Sequence, residues 1–445
     1  MWLYHAMPLI SKLATRSYYR VTVAGARVPA AGPVLLVANH NNSLVDPALV
    51  ASTANRNVRF LAKAPLFTHS LIGWLVRAVG SVPVYRAEDD RTKVSLNLDS
   101  FRDVYRVLAA GDVVGIFPEG ISHSASRLAP LKTGAARLAI GAANRIGTDF
   151  PIIAMGLVFR ERDTFRSEAH VIIGDTFRWD DLVGDPDNRS AVRELTSRIE
   201  ESMRRVSLNL HEWEDEPIVR SAEAVWRAEF GDADDDDPAA EIHRLRITTD
   251  ALHALRRGGA HDWRETAVEL RGHGRALDKL GLTPDSLVED VTRGQALWWG
   301  LSRVPFAIVL PISLLGALVF WIPRAMTVAV AAAVAKTEGE DVIVTHRVLA
   351  GAVLFPAWFV LVAALVGARF GWSAALLALV IQPVWAFSAV AVGERRQRAW
   401  LTVRRYFLRH LEQRRLERLR ERQRHLAARL RKLLDVVGSQ QILPE

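Results

Sequence analysis

The chain has 445 residues, with 57 Lys and Arg against 49 Asp and Glu, a formal net charge of +8 and half of its residues apolar. That length exceeds one ordinary domain and predicts two or three, and the absence of cysteine excludes disulfide staples, thiolate metal sites and a cysteine nucleophile. The basicity is local: residues 394–435 hold 15 Lys and Arg against 5 Asp and Glu, so the remainder is close to neutral and a nucleic-acid reading of the whole protein loses its support.

Residues 1–19 have apolar positions interrupted by His5, Lys12 and Arg16 and no small-residue cleavage site, so no secretory signal is expected. Trp2, Leu3, Met7, Ile10 and Leu13 recur at near-helical spacing. They fit either an amphipathic helix in a membrane interface or a helix packed on a core. From 20 to 215, seven short apolar, β-branched runs alternate with helix-like stretches. The runs are VTV (21–23), VLLVA (34–38), VRFLA (58–62), VPVY (82–85), VVGIF (113–117), PIIAMGLVF (151–159) and HVIIGD (170–175). The main helix-like stretches are 65–79, 92–110 and 131–145. This alternation predicts an α/β domain with a mixed, largely parallel sheet. Val192, Leu195, Ile199, Met203, Val206 and Leu210 then step by three or four, as an amphipathic helix does.

An acidic, proline-ended break at 231–238 lies within a helical region, 216–297, in which no chemistry is evident. Residues 298–393 change character. Runs at 304–323, 348–368 and 370–393 are long and apolar enough to be membrane helices. Pro305, Pro311 and Pro323 favour a broken first run. Two full spans plus a re-entrant or interfacial hairpin at 304–335 would keep the basic tail and the α/β domain on one side, expected to be the cytoplasm. In the tail, 394–445, Leu416, Leu419, Leu426, Leu430, Leu433 and Val437 form a heptad seam with Gln423 at one position. An interfacial helix on anionic lipid is the leading reading, with a coiled-coil homodimer and nucleic-acid binding as alternatives.

Three clusters carry chemistry. In NHNNSLVDP, directly after a strand, His40 and Asp46 stand six apart. On one helix they would point about 240° apart. With His40 on the loop and Asp46 in the first helical turn they meet, and the carboxylate fixes the imidazole tautomer, leaving the other nitrogen as a base. Asn39, Asn41, Asn42 and Ser43 are residues suited to capping such a turn. In GSVPVYR, Arg86 follows a strand, where a planar cation suits phosphate. In FPEGISHS, Pro118 and Gly120 make a rigid turn presenting Glu119, and Lys132 with Gly134 opens a helix whose N–H groups favour an anion. Read singly, each has a plainer meaning: a loop histidine, a surface arginine, a turn with a solvent carboxylate.

Read together, NHNNSLVDP, GSVPVYR, FPEGISHS and PIIAMGLVF resemble the four ordered motifs of the glycerolphosphate and lysophosphatidic acid acyltransferase family, over residues 20–180. FPEG followed by SH and PLKTGAARLA is similar to its glycerol-3-phosphate/dihydroxyacetone-phosphate acyltransferase branch. The family's usual first motif has four residues between His and Asp. Here there are five, an HX5D form similar to the same branch. The fourth motif keeps Pro151 and is otherwise an apolar strand. The resemblance implies a membrane-bound enzyme of phospholipid synthesis, with no metal or cofactor, that moves an acyl group from acyl-CoA or acyl carrier protein to glycerol-3-phosphate or its 1-acyl form. His40 would be the base, Asp46 its orienting partner, and Arg86, Glu119, Gly120 and Lys132 the acceptor-binding residues. The alternatives are a lysophospholipid-remodelling acyltransferase and a non-catalytic membrane scaffold.

Overall fold

The computed structural model describes residues 2–68, 73–86, 92, 97–123, 125–210, 212–231, 238–257, 262–288, 304–338 and 342–441. Parts of the expected 65–79 and 92–110 helices, most of the acidic break at 231–238 and the 289–303 junction lie outside the described residues. The chain divides into two compact units. One comprises residues 1–213, 237–246 and 335–345, and the other 214–236, 247–334 and 346–445.

The first unit is built on a seven-stranded sheet. Its strands are β1 (Arg20–Gly25), β2 (Val34–Ala38), β3 (Val58–Lys63), β4 (Val82–Val84), β5 (Val113–Ile116), β6 (Ile152–Phe159) and β7 (Glu168–Ile173), in the order β1-β7-β6-β2-β5-β3-β4. All neighbours pair in parallel except β6 with β7. Every residue of β2 is buried, as a central strand covered on both faces requires. The helices of this unit are α1 (Trp2–Tyr18), α2 (Val45–Thr53), α3 (Pro65–Thr68), α4 (Gly73–Ala78), α5 (Asn97–Ala109), α6 (Gly134–Ile146) and α7 (Arg189–Val206). On α7 the stepped residues Val192, Leu195, Ile199, Met203 and Val206 are buried, and Asn188 caps its start by accepting the Ser190 and Ala191 N–H groups. They join Leu35, Val37, Leu138, Ile140, Ile152 and Trp179 in one core. Helix α1 packs on α2. It buries Ser11, Thr15 and Tyr18 and leaves Leu9, Ile10 and Leu13 exposed.

β2 through β6 share one direction, so the residues following β2, β4 and β5 emerge at one edge, where open α/β sheets bind ligands. His40, Arg86 and Glu119 follow those three strands.

The second unit is helical. It contains α8 (Glu216–Phe230), most of α9 (Pro238–Arg257), α10 (Asp262–Leu280) and α11 (Pro284–Val288). Then come α12 (Val304–Val319), α13 (Trp321–Glu338), α14 (Ile343–Phe370), α15 (Trp372–Leu411) and α16 (Gln413–Gln441). Helix α14, and α15 as far as Arg396, are each long and apolar enough to cross a bilayer, while α12 and α13 form a pair bent by 46°. The Gln382 amide donates to the Phe359 carbonyl at 3.0 Å and the Trp385 indole N–H to that of Ile312 at 2.8 Å, tying α15 to α14 and α12. No break marks the change from apolar to basic sequence at Glu394; α15 runs through it to Leu411, since Arg, Gln and Leu all favour helix.

The basic tail differs from its leading sequence reading. Its seam is occupied within the chain. Leu426 and Leu430 pack with Ile218, Ala222 and Val225 of α8 and Leu270 of α10, and Leu416 and Leu419 pack with Leu277, Leu280 and Leu287. Gln423 is fully buried and donates to Glu229 at 2.8 Å. A seam so filled is not the face laid on lipid, nor the interface of a coiled-coil homodimer. Heptad spacing records that a face is buried, not which partner covers it.

Candidate active site

The segment from the end of β2 into α2 carries His40 and Asp46. Its exit from the sheet is clamped by Asn39, whose amide donates to the Leu157 carbonyl at 2.9 Å and accepts the Leu157 N–H at 2.7 Å. His40 then leaves the strand and Asp46 sits in the first turn of α2. His40 Nδ1 lies 2.9 Å from Asp46 Oδ2, which also accepts the Asn42 N–H at 2.6 Å. An ionised carboxylate can only accept, so Nδ1 carries the proton and Nε2 the lone pair, a tautomer assigned from the partner. Asp46 is fully buried, whereas the His40 side chain is 19% exposed. The imidazole stacks on Phe117 with centroids 4.1 Å apart, and Phe117 in turn stacks on Phe60 at 6.0 Å. Gly115 makes room for that pile: a Cβ there would meet the Phe60 ring at 2.4 Å.

The local capping differs from expectation. The residue preceding α2 is Leu44, with no side-chain cap. Asn39 serves as the strand clamp instead. The Asn42 side chain donates at 2.9 Å to the Tyr19 hydroxyl, which donates to the Arg162 carbonyl. Tyr19 is buried just before β1, and burial raises its pKa, keeping it a neutral donor.

Glu119 faces into the protein. It is 2% exposed and both oxygens are taken up inside the protein. Oε1 accepts the His40 N–H at 2.9 Å, and Oε2 accepts the Ala129 N–H at 2.7 Å and the His123 Nε2–H. The His123 N–H returns to the His40 carbonyl at 3.0 Å. The peptide of His40 is thus held on both sides by FPEGISH. A lone carboxylate in a Pro-Gly turn reads as outward-facing, yet this one turns inward because backbone N–H groups surround it. His123 has its pKa raised by the hydrogen bond to Glu119, with burial opposing.

Arg86, Gly120 and Lys132 do come together. Arg86 Nη1 donates to the Gly120 carbonyl at 2.9 Å. Gly120 has φ +72, and a Cβ there would meet Lys132 Cδ at 2.8 Å, so the lysine stem lies across it. The Lys132 N–H donates to Pro118 at 2.8 Å, and α6 begins two residues later. Two cations therefore flank the peptide next to Glu119, which holds His40. Sequence reading did not single out Tyr19, Phe117 or His123. The serine-histidine pair after FPEG was the one local signal for the last.

A family model described as Acyltransferase matches residues 20–158, and one described as Glycerol-3-phosphate acyltransferase 2 C-terminal domain matches residues 294–442. Glycerol-3-phosphate O-acyltransferase 1 of Saccharomyces cerevisiae is 24% identical over 388 residues, covering 81% of this chain and 49% of that protein. Glycerol-3-phosphate O-acyltransferase 2 of the same organism is 30% identical over 135 residues, covering 29% and 18%. A lyso-ornithine lipid O-acyltransferase of Rhizobium meliloti is 35% identical over 136 residues, covering 28% and 44%. The chain spans about half or less of the length of these relatives.

Proposed function

Because the chain belongs to the glycerolphosphate and 1-acylglycerol-3-phosphate acyltransferase family, we propose that it is a membrane-bound enzyme moving a fatty acyl group from an acyl thioester to a glycerol-phosphate acceptor. The observation that carries this reading is the 2.9 Å pairing of His40 Nδ1 with buried Asp46, with Arg86 and Lys132 meeting at Gly120 beside the same loop. His40 Nε2 removes the proton of the acceptor hydroxyl. The resulting oxygen nucleophile attacks the thioester carbonyl, the thiolate leaves, and the imidazolium returns the proton to it. Asp46 stabilises the imidazolium between those steps. Arg86 and Lys132 hold the acceptor phosphate, the guanidinium through paired hydrogen bonds and the ammonium as a point charge. The acyl donor is carried on coenzyme A or acyl carrier protein, and the acceptor is glycerol-3-phosphate or its 1-acyl form. The lyso-ornithine lipid relative favours one second reading, a lysolipid acceptor with another head group.

The basic residues following Arg395 keep the end of α15 in the cytoplasm, where the catalytic unit also lies. Exposed Leu9, Ile10 and Leu13 of α1 dip into the interface of the same leaflet. The test is acyl transfer by detergent-solubilised protein across a panel of acceptors. His40→Ala should reduce turnover by about 10²–10⁴-fold, and Asp46→Asn severely. Near wild-type turnover in folded His40→Ala protein refutes the mechanism, whereas no transfer by the wild type to any acceptor favours a non-catalytic scaffold.

A further inference from the structure

Of five N–H groups between His40 and Val45, three donate to a side chain from elsewhere in the chain, one to Asp46 and one to a local carbonyl. His40 donates to Glu119 at 2.9 Å, Asn42 to Asp46 at 2.6 Å, Ser43 to the Ser122 hydroxyl at 3.2 Å, and Val45 to the Asn42 carbonyl at 2.9 Å. Ser43 has φ 41, a left-handed conformation that a serine adopts only when its surroundings hold it. Leu44 is the residue that precedes α2. Leucine has no acceptor with which to cap α2, and no side-chain cap is formed at this position. The Leu44 N–H donates to Thr345 Oγ1 at 3.2 Å, on a residue 301 positions away.

Thr345 is not an incidental surface neighbour. It is 3% exposed, and Val344 beside it is fully buried. Both stand at the start of α14, one of the two helices among the described residues long enough to span a bilayer. Residues 335–345 nevertheless belong to the same compact unit as the sheet, whereas the chain on either side of them belongs to the helical unit. They also fall within the 294–442 match rather than the 20–158 match that holds His40 and Asp46.

We infer that Thr345 is a positioning residue for the His40–Asp46 loop, so that the C-terminal membrane section contributes to turnover as well as to anchoring. The Thr345 hydroxyl accepts the N–H of the residue that precedes α2, fixing the start of that helix two residues before Asp46 and hence the carboxylate that orients the imidazole. Thr345 touches neither substrate nor the reacting atoms in this scheme. The role in turnover rests on the acyltransferase reading above; the structural role does not.

The experiment uses full-length protein in detergent, as wild type, Thr345→Val and Thr345→Ser. Valine keeps the shape and removes the acceptor, and serine restores it. Kinetics are measured with donor and acceptor varied separately, and hydrogen exchange is followed at amides 42–46. Thr345→Val should lower kcat by about fivefold or more, the scale of a buried amide losing its acceptor, with both KM values within about twofold of wild type. Thr345→Ser should recover most of the kcat. Exchange should quicken in the valine variant alone. Should Thr345→Val not fold, Thr345→Ala is read in the same way. Wild-type kcat in an active enzyme bearing valine, an equal loss with serine, or unchanged exchange overturns the inference. An inactive wild type defeats the acyltransferase reading instead, and exchange then still decides whether Thr345 holds the loop.

Discussion

Replacing Glu119 by glutamine keeps the side chain's size while removing one of two acceptor oxygens from a carboxylate that receives three donors. The amide oxygen can remain with the Ala129 N–H and the His123 ring. Its NH2 group then faces the His40 N–H, donor against donor. Hydrogen bonds to a charged group are each worth about 1.5–3 kcal/mol, and this site is buried, so the substitution should cost about 2–3 kcal/mol. If that cost falls on the placement of His40, kcat drops roughly 30- to 150-fold, and the melting temperature falls by several degrees. The acceptor KM should change little, because Glu119 faces the protein. The assay is kcat and acceptor KM together with thermal unfolding of the same sample. A higher acceptor KM with kcat and melting temperature retained would mean that Glu119 binds the acceptor, and the positioning argument would be wrong. The pair with His123 adds a pH signature. Its pKa is raised in the folded protein, so its contribution to stability is complete below the ordinary value of about 6.5 and is lost as pH rises through the raised value. The stability gap between wild type and Glu119→Gln should accordingly be wider near pH 6 and narrow as pH rises further.

Two other predictions test the phosphate site and the tail. Arg86→Lys should weaken acceptor kcat/KM although charge is kept, and Arg86→Ala should weaken it by about ten- to a hundredfold with donor KM much less affected; equal effects on donor and acceptor would remove Arg86 from the phosphate site. Leu426→Ala should destabilise the helical unit by about 2–5 kcal/mol and open the arginine-rich α16 to trypsin in detergent, whereas a seam reserved for lipid would leave trypsin resistance unchanged.

The candidate site was legible in outline because its residues follow strands. Runs such as VLLVA and VVGIF are apolar and β-branched, and parallel strands deliver whatever follows them to a common edge. That logic puts His40, Arg86 and Lys132 at one edge, and the six-residue spacing requires His40 on a loop and Asp46 on a helix for the two to meet. It did not reveal what each polar atom bonds to. Asn39 and Asn42 look like capping residues by type, yet their partners are Leu157 and Tyr19. Glu119 looks outward-facing by its turn, yet it accepts N–H groups from two other segments.

From composition and periodicity alone follow the alternating α/β domain, the apolar runs of membrane length and the buried seam of the tail, since each depends on a side chain's affinity for water at regular spacing. The tertiary structure alone decided which surfaces and atoms meet. The strand order β1-β7-β6-β2-β5-β3-β4 sets β6 beside β2, so that Leu157 reaches Asn39 across 118 positions. Chain folding brings Thr345 to Leu44 across 301 and lays Leu426 on α8. A spacing of three, four or seven states that a face must be covered. The covering partner is chosen by shape and hydrogen-bond satisfaction among segments far apart in the chain, and that choice leaves no periodic trace in the sequence.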